Sequence, residues 1–413
     1  MLPFSILRPI RSYARGGGDV MKRLYLLLAI IVAAFNLRPI ITSVGPLLGT
    51  LQRELDMSGV VVSLLTTLPV LCMGIFAPTA TRLNDRFGLE RTIFFALLLI
   101  LVATAVRGIV DSVLLLVISA FIGGGGISLA SPLLSSFIKK YFPLNSNVVS
   151  YYTAALTVGA VIASAFSVPI YRASGQKLSV ALSCWSLIAV LALLVWLRLL
   201  VVKSRSTIEI SRSKPLYRTK LPLRNKRALL LTSYFGFMAA IFYSLLAWIS
   251  PIAISYGYSQ SNAAVLLSIF VIVQIPISFI VPSLASKFGK YRILLISCSL
   301  CEVLGIVLIL LGLPMLPSVF LLGFGAGGLF SLALMLPIVE TATSEEAGAW
   351  SAMSQCGGYI VGAIGPLLVG YIYDLTGSFT LALLAILCMI LLMIVVQSFM
   401  ADRQGGRLES EKE

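Results

Sequence analysis

From Leu24 onward the chain is cut into twelve apolar segments, at about residues 24–48, 58–81, 92–110, 112–138, 147–170, 178–202, 228–254, 260–285, 292–312, 315–339, 347–371 and 378–400. Most of them reach the roughly 18–20 apolar residues that cross a bilayer as a helix. Inside hydrocarbon every backbone N–H and C=O has to be bonded within the protein, so only helices and closed barrels can span it. Barrel strands would read as short segments of alternating hydrophobicity, and none occur here. The composition, 59% hydrophobic and 11% charged, excludes an ordinary soluble domain, in which about a quarter of residues are charged. The expected fold class is an all-α polytopic membrane protein with twelve transmembrane helices.

The net charge of +15 is spent on orientation. An even number of spans puts both termini on one side. Twenty-five of the lysines and arginines fall in the loops and tails of that side, whereas Arg53, Arg107, Arg172 and Lys177 fall on the other. Cytoplasmic loops carry such an excess, so both termini are expected in the cytoplasm. The basic residues therefore imply no nucleic acid partner, although the central loop can meet anionic lipid heads. Residues 1–21, with Arg8, Arg11, Arg15 and a Gly16-Gly17-Gly18 run, read as a disordered cytoplasmic extension; Met21-Lys22-Arg23 looks like a natural start, and no cleavable signal follows.

A polar, basic linker at 203–227 divides the chain into six-helix bundles at 22–202 and 228–400, with a cytoplasmic tail at 401–413. The halves match at an offset of 201: Ser58 with Ser259, Phe87-Gly88 with Phe288-Gly289, Arg91 with Arg292, and Gly124 and Gly126 with Gly325 and Gly327. Parallel repeats of this kind indicate two pseudo-symmetric bundles with a binding site at the midplane between them. There is no histidine, and the six cysteines lie in apolar segments. No metal cluster, triad or nucleotide loop is present, so neither an enzyme nor a cofactor is expected.

Within the first segment, Asn36-Leu37-Arg38-Pro39 places a guanidinium about 14 residues, or about 21 Å, into the span. Such a residue costs about 2.5–3.5 kcal/mol or more on insertion scales and needs compensation. Arg38 can fork onto a small anion, with Thr42 four residues on along the same face and Asn36 turned toward an interhelical hydrogen bond. Alternatively it caps carbonyls freed by Pro39. Tyr151, Tyr152, Tyr243 and Tyr359 offer phenols. Trp248 suits either the site or an interfacial belt. Gln274 and Gln355 suit either solute contact or interhelical bonding, with Gln355 one turn before Tyr359. Glu302 is the one acid deep in a segment, protonated or paired there, and the candidate for proton coupling. The glycine clusters at 123–126 and 325–328 serve close helix packing or a hinge.

The loop Asn84-Asp85-Arg86-Phe87-Gly88-Leu89-Glu90-Arg91 resembles the major facilitator superfamily signature between helices two and three, with Thr81 where that signature has Gly. Asn36-Leu37-Arg38-Pro39 followed by Thr42-Ser43-Val44-Gly45-Pro46, the stretch from Phe242 to Trp248, and Gly357-Gly358-Tyr359 with Gly365-Pro366 resemble its cyanate and nitroimidazole porter branch. Helix ten departs from that branch at Ala326 and Ser331. The resemblance implies that helices one, four, seven and ten line the cavity. In the loop, Asp85, Arg86, Gly88 and Arg91 are expected to form a cytoplasmic latch. The expected function is alternating-access transport of a small anionic or polar planar solute across the bacterial cytoplasmic membrane, by a monomer. Export of neutral nitroimidazole-like drugs, and a membrane sensor that binds without transport, are the alternatives.

Overall fold

The computed structural model describes residues 17–57, 59–109, 112–143, 147–206 and 221–400. The expected linker and tail lie mostly outside them, as does Ser58. Twelve helices are long and apolar enough to cross a membrane, and no strand occurs among the described residues. The first span is broken into α1 (Gly17–Asn36) and α2 (Pro39–Thr42) and is followed by the short α3 (Leu48–Glu54). Then come α4 (Gly59–Phe87), α5 (Leu89–Val106), α6 (Val113–Tyr141) and α7 (Asn147–Ala173). The short α8 (Leu178–Ser183) and α9 (Ser186–Ser206) make the sixth span. The second half holds α10 (Lys226–Ser255), α11 (Gln260–Phe288), α12 (Tyr291–Leu310), α13 (Met315–Glu340), α14 (Ser344–Thr376) and α15 (Phe379–Ser398). Residues 17–21 are helical, a correction to the extension expected over 1–21, because α1 gains a turn ahead of its apolar run.

The repeat is visible in the backbone. Gly88 and Gly289 occupy the same loop in the two halves with φ of +85° and +67°, a conformation that glycine adopts without a Cβ clash. Ser259 caps α11 by accepting a hydrogen bond from the Asn262 amide at 3.2 Å. The offset fails in the glycine clusters, however. A Cβ on Gly124 would lie 2.6 Å from Pro69 of α4, and one on Gly126 would meet Ala96 and Ile100 of α5. Their partners are exchanged: Gly325 sits on Cys298 and Glu302 of α12, and Gly327 on Gln274 of α11. Two residues shift a helix face by about 200°, so the same spelling meets the other neighbour.

The halves meet where α4 and α6 pack on α14, and α7 on α11. Hydrogen bonds cross between them. Lys139 donates to the Ile338 carbonyl at 3.0 Å and Ser344 to the Ser136 carbonyl at 2.8 Å. Thr153 donates to the Ser278 carbonyl at 2.9 Å and Ser283 to the Ser150 hydroxyl at 3.2 Å. All lie in the half of the span nearer the basic loops, and the halves are closed against each other there.

Candidate functional site

Pro39 has no N–H to give to the residue four back, and its ring disfavours helix in the residue before it. The first span accordingly ends one helix at Asn36 and restarts at Pro39, with Arg38 at the N-cap. The Thr42 hydroxyl donates to the Arg38 carbonyl at 3.1 Å, so Thr42 steadies the restarted turn from its backbone side. The Asn36 side-chain nitrogen is buried with no partner among the described residues, and the interhelical bond expected of it is not made.

The half-buried Arg38 guanidinium lies 4.9 Å from the ring centre of Phe330 on α13, within cation–π range. Tyr243 of α10, Tyr359 of α14 and Tyr152 of α7 all stand near enough to act on it electrostatically. The Tyr152 hydroxyl is 3.4 Å from Ser131 on α6. The wall behind is aromatic. Phe242 stacks on Phe330 at 6.0 Å and 26°, Tyr243 is 6.5 Å from Tyr359, and Phe235 packs edge-on to Tyr359 at 5.1 Å. Among the described residues no carboxylate forms an ion pair with Arg38. One half thus supplies a cation and a phenol, and the other supplies two phenols and an apolar face.

Not every expected residue joins this cluster. Tyr151 turns the other way and packs on Phe279 of α11 at 5.5 Å. Trp248 donates its indole N–H to the Pro366 carbonyl at 3.0 Å and packs against Tyr373 and Phe379; it braces the far end of α14. Gln274 donates to the Phe270 carbonyl of its own helix at 3.0 Å. Glu302 is buried against α13, where a Cβ on Gly325 would lie 2.5 Å from its Cγ, and it is not among the groups acting on Arg38. The expected latch residues frame the loop at Gly88. Asp85 and Arg86 lie in the last turn of α4, Arg86 leans on the adjacent Phe87 ring, and Arg91 is exposed in the first turn of α5. Glu90, which interrupts the signature, is buried and accepts from Lys140 at 2.9 Å and Tyr141 at 2.6 Å, tying α5 to the end of α6. Across the repeat, Arg227 forks onto Glu340 at 2.6 and 2.7 Å.

Two residues escape the sequence. Phe330 looks like one more apolar residue of α13, and only packing shows that it backs Arg38. Arg107 was counted among the loop cations of the less basic side. It is instead 1% exposed at the end of α5. Its Nη1 donates to the Ile40 carbonyl at 2.7 Å and its Nε to the Ser119 hydroxyl at 3.0 Å. Nearby, a Cβ on Gly123 would lie 2.1 Å from Ile40 Cδ1, so that turn is also wedged against α6. The Ile40 carbonyl, in the turn that follows Pro39, is met by Arg107 and not by Arg38.

A twelve-helix membrane protein of two pseudo-symmetric bundles, with a charged side chain held between them, has the architecture of a membrane solute transporter. Residues 26–349 match the Major Facilitator Superfamily, and the chain belongs to it. It is 32% identical over 89% of its length to an uncharacterized transporter of Bacillus subtilis, 91% of which is covered. It is 30% identical to the 2-nitroimidazole transporter of Escherichia coli, over 90% of this chain and 94% of that protein. It is also 30% identical to the cyanate transport protein of Escherichia coli, over 91% and 97%. The proton:xylose symporter XylE shares the fold, with a TM-score of 0.74 at 15% identity, covering 93% of this chain and 97% of that one. These relatives are transporters rather than enzymes.

Proposed function

We propose that this protein carries a small anionic or polar planar solute between its two halves by alternating access, with Arg38 as the anchor. The observation that supports this reading most is the Arg38 cluster: a guanidinium inside the span, flanked by the Tyr152, Tyr243 and Tyr359 phenols, with no carboxylate in ion-pair range among the described residues. Removing a charge from water costs several kcal/mol unless a counter-charge arrives. A solute that brings an acceptor pair in the guanidinium plane meets that need, and the phenols add donors at its edges. Phe330 covers one guanidinium face, which directs the solute to the fork.

The basic side is assigned to the cytoplasm by its excess of lysine and arginine. The bonds between the halves then close the cytoplasmic face, and Arg38 awaits solute from outside in the bacterial inner membrane. A second reading is favoured by the Phe330–Phe242 stack: a neutral, planar nitroaromatic ring lies on that wall, as befits similarity to a nitroimidazole transporter. A thermal-shift titration separates the two, using cyanate, nitrate, short carboxylates and 2-nitroimidazole on the wild type and Arg38→Gln. A ligand at 100 times its Kd stabilises by about 2.7 kcal/mol. Anion stabilisation that disappears in Arg38→Gln supports the anchor. Stabilisation by 2-nitroimidazole alone, equal in both proteins, moves the reading to the neutral ring.

A further inference from the structure

The closed face between the halves contains polar groups that the closed state leaves without partners. The Ser135 hydroxyl on α6, and the Ser351 hydroxyl and Gln355 side-chain nitrogen on α14, are buried with no hydrogen-bond partner among the described residues. Gln355 is 1% exposed and Ser351 2%. Each such group forfeits about 1–3 kcal/mol of hydration. In α14 the positions 344, 348, 351, 355 and 359 advance by four, three, four and four residues, which keeps them on one face. The ends of this stripe are fixed by contact. Ser344 bonds to the Ser136 carbonyl, and a Cβ on Gly348 would lie 2.1 Å from the Ser136 hydroxyl oxygen. At its other end Tyr359 stands beside Arg38. The neighbouring faces of α14 are taken by other helices, with Cys356 and Ile360 against Gly74 of α4, and Gly357 and Gly358 against Thr232 and Phe235 of α10. Ser351 and Gln355 therefore face the seam between the halves, on the straight course from Arg38 to the basic side.

We infer that Ser351 and Gln355 form a second and weaker station for the solute, occupied after it leaves Arg38 and before it reaches the basic side. The inference rests on the transport reading above. Its donors are neutral, an amide and a hydroxyl, and that is what release requires. An anion held by a guanidinium leaves faster through sites that bind it less tightly, since conduction needs binding weak enough to let go. The orphaned groups also bias the closed seam toward opening, because water or solute satisfies them once α14 and α6 part. The Lys139 and Ser344 bonds oppose that bias.

The test uses the full chain in membrane vesicles with the basic side accessible. Ser351→Cys and Gln355→Cys are treated with a membrane-impermeant maleimide, with and without Lys139→Ala and Ser344→Ala. Peptide mass spectrometry locates the modified position, so the native cysteines stay in place. The expected result is slow labelling of both positions, accelerated at least about tenfold when the two cross-half bonds are removed, which lower the opening free energy by about 1 kcal/mol or more each. No labelling in the loosened protein, while Arg91→Cys reacts fully, would overturn the inference. A companion measurement is the Tm of Gln355→Leu in detergent. A Tm at or above wild type is expected, because an unpartnered amide is replaced by an apolar side chain. A drop of several degrees would make Gln355 a structural bond and overturn the station. Neither readout needs a transported solute. If Arg38 binds no anion, these results stand on their own, and if they fail, the Arg38 titration is untouched.

Discussion

Arg38 and Arg107 are two arginines serving the same broken span, and they are satisfied in opposite ways. Arg107 is fully buried, donates from Nη1 to Ile40 and from Nε to Ser119, leaves its Nη2 without a partner among the described residues, and holds the turn that follows Pro39. Arg38 sits at the break itself, against Phe330 and among phenols, with no carboxylate among the described residues to neutralise it. The first is a backbone clamp, and the second, on the function proposed above, is the one open to a counter-charge. The role of an intramembrane arginine is thus set by what meets its donors rather than by its depth. The clamp also serves the site, because it fixes the turn from which the Arg38 side chain leaves.

The contrast breaks most sharply at the clamp. Arg107→Met strands the Ile40 carbonyl and takes one donor from the Ser119 hydroxyl, which keeps its bond to the Leu116 carbonyl, and a loss of about 2–5 kcal/mol is expected. Thermal unfolding in detergent measures it, and a Tm equal to wild type would mean that the turn holds itself. Next comes Gly159→Ala. Its Cβ would lie 2.4 Å from the Phe35 carbonyl oxygen, where α7 abuts α1 just before the break. Overpacking of about 1–3 kcal/mol follows, with lower yield and Tm as the readout. Arg38→Gln should do the reverse of Arg107→Met. Stability changes by less than about 1 kcal/mol, while anion affinity falls about 10- to 100-fold, the worth of a charge-assisted hydrogen bond; titration by Tm shift or calorimetry reports it. Smallest is Phe330→Leu. The cation–π contact and the aromatic wall are lost for about 0.5–2 kcal/mol, and planar solutes should weaken more than cyanate. Equal weakening of both classes would leave Phe330 no part in selection.

Much of this was legible in the chain. Twelve apolar runs, the linker and the Phe-Gly loops repeated at an offset of 201 carried the fold, because the bilayer forbids most alternatives. Arg38, Tyr243 and Tyr359 could be named because polar groups inside a span are costly and stand out. The remainder was hidden for definite reasons. Tyr151 and Tyr152 are adjacent in sequence yet about 100° apart on α7, and only packing decides which faces Arg38. Glu90 looked like an interruption of a signature, and its partners Lys140 and Tyr141 lie some fifty residues on. Arg107 looked like a loop residue because it stands at the very end of its span, and its partners Ile40 and Ser119 come from other helices.

By itself the sequence determined the number of spans, the division into halves and the presence of a charge that needs compensation. Each of these is a one-dimensional property, set by hydropathy or loop charge. The tertiary structure decided which arginine meets the Ile40 carbonyl, which glycine meets which helix, and that Phe330 stands behind the guanidinium. Those depend on the rotation of one helix against another. A shift of one residue turns a side chain by about 100°, so the choice of partner is made in the packing, where apolar residues of the same hydropathy fill very different places.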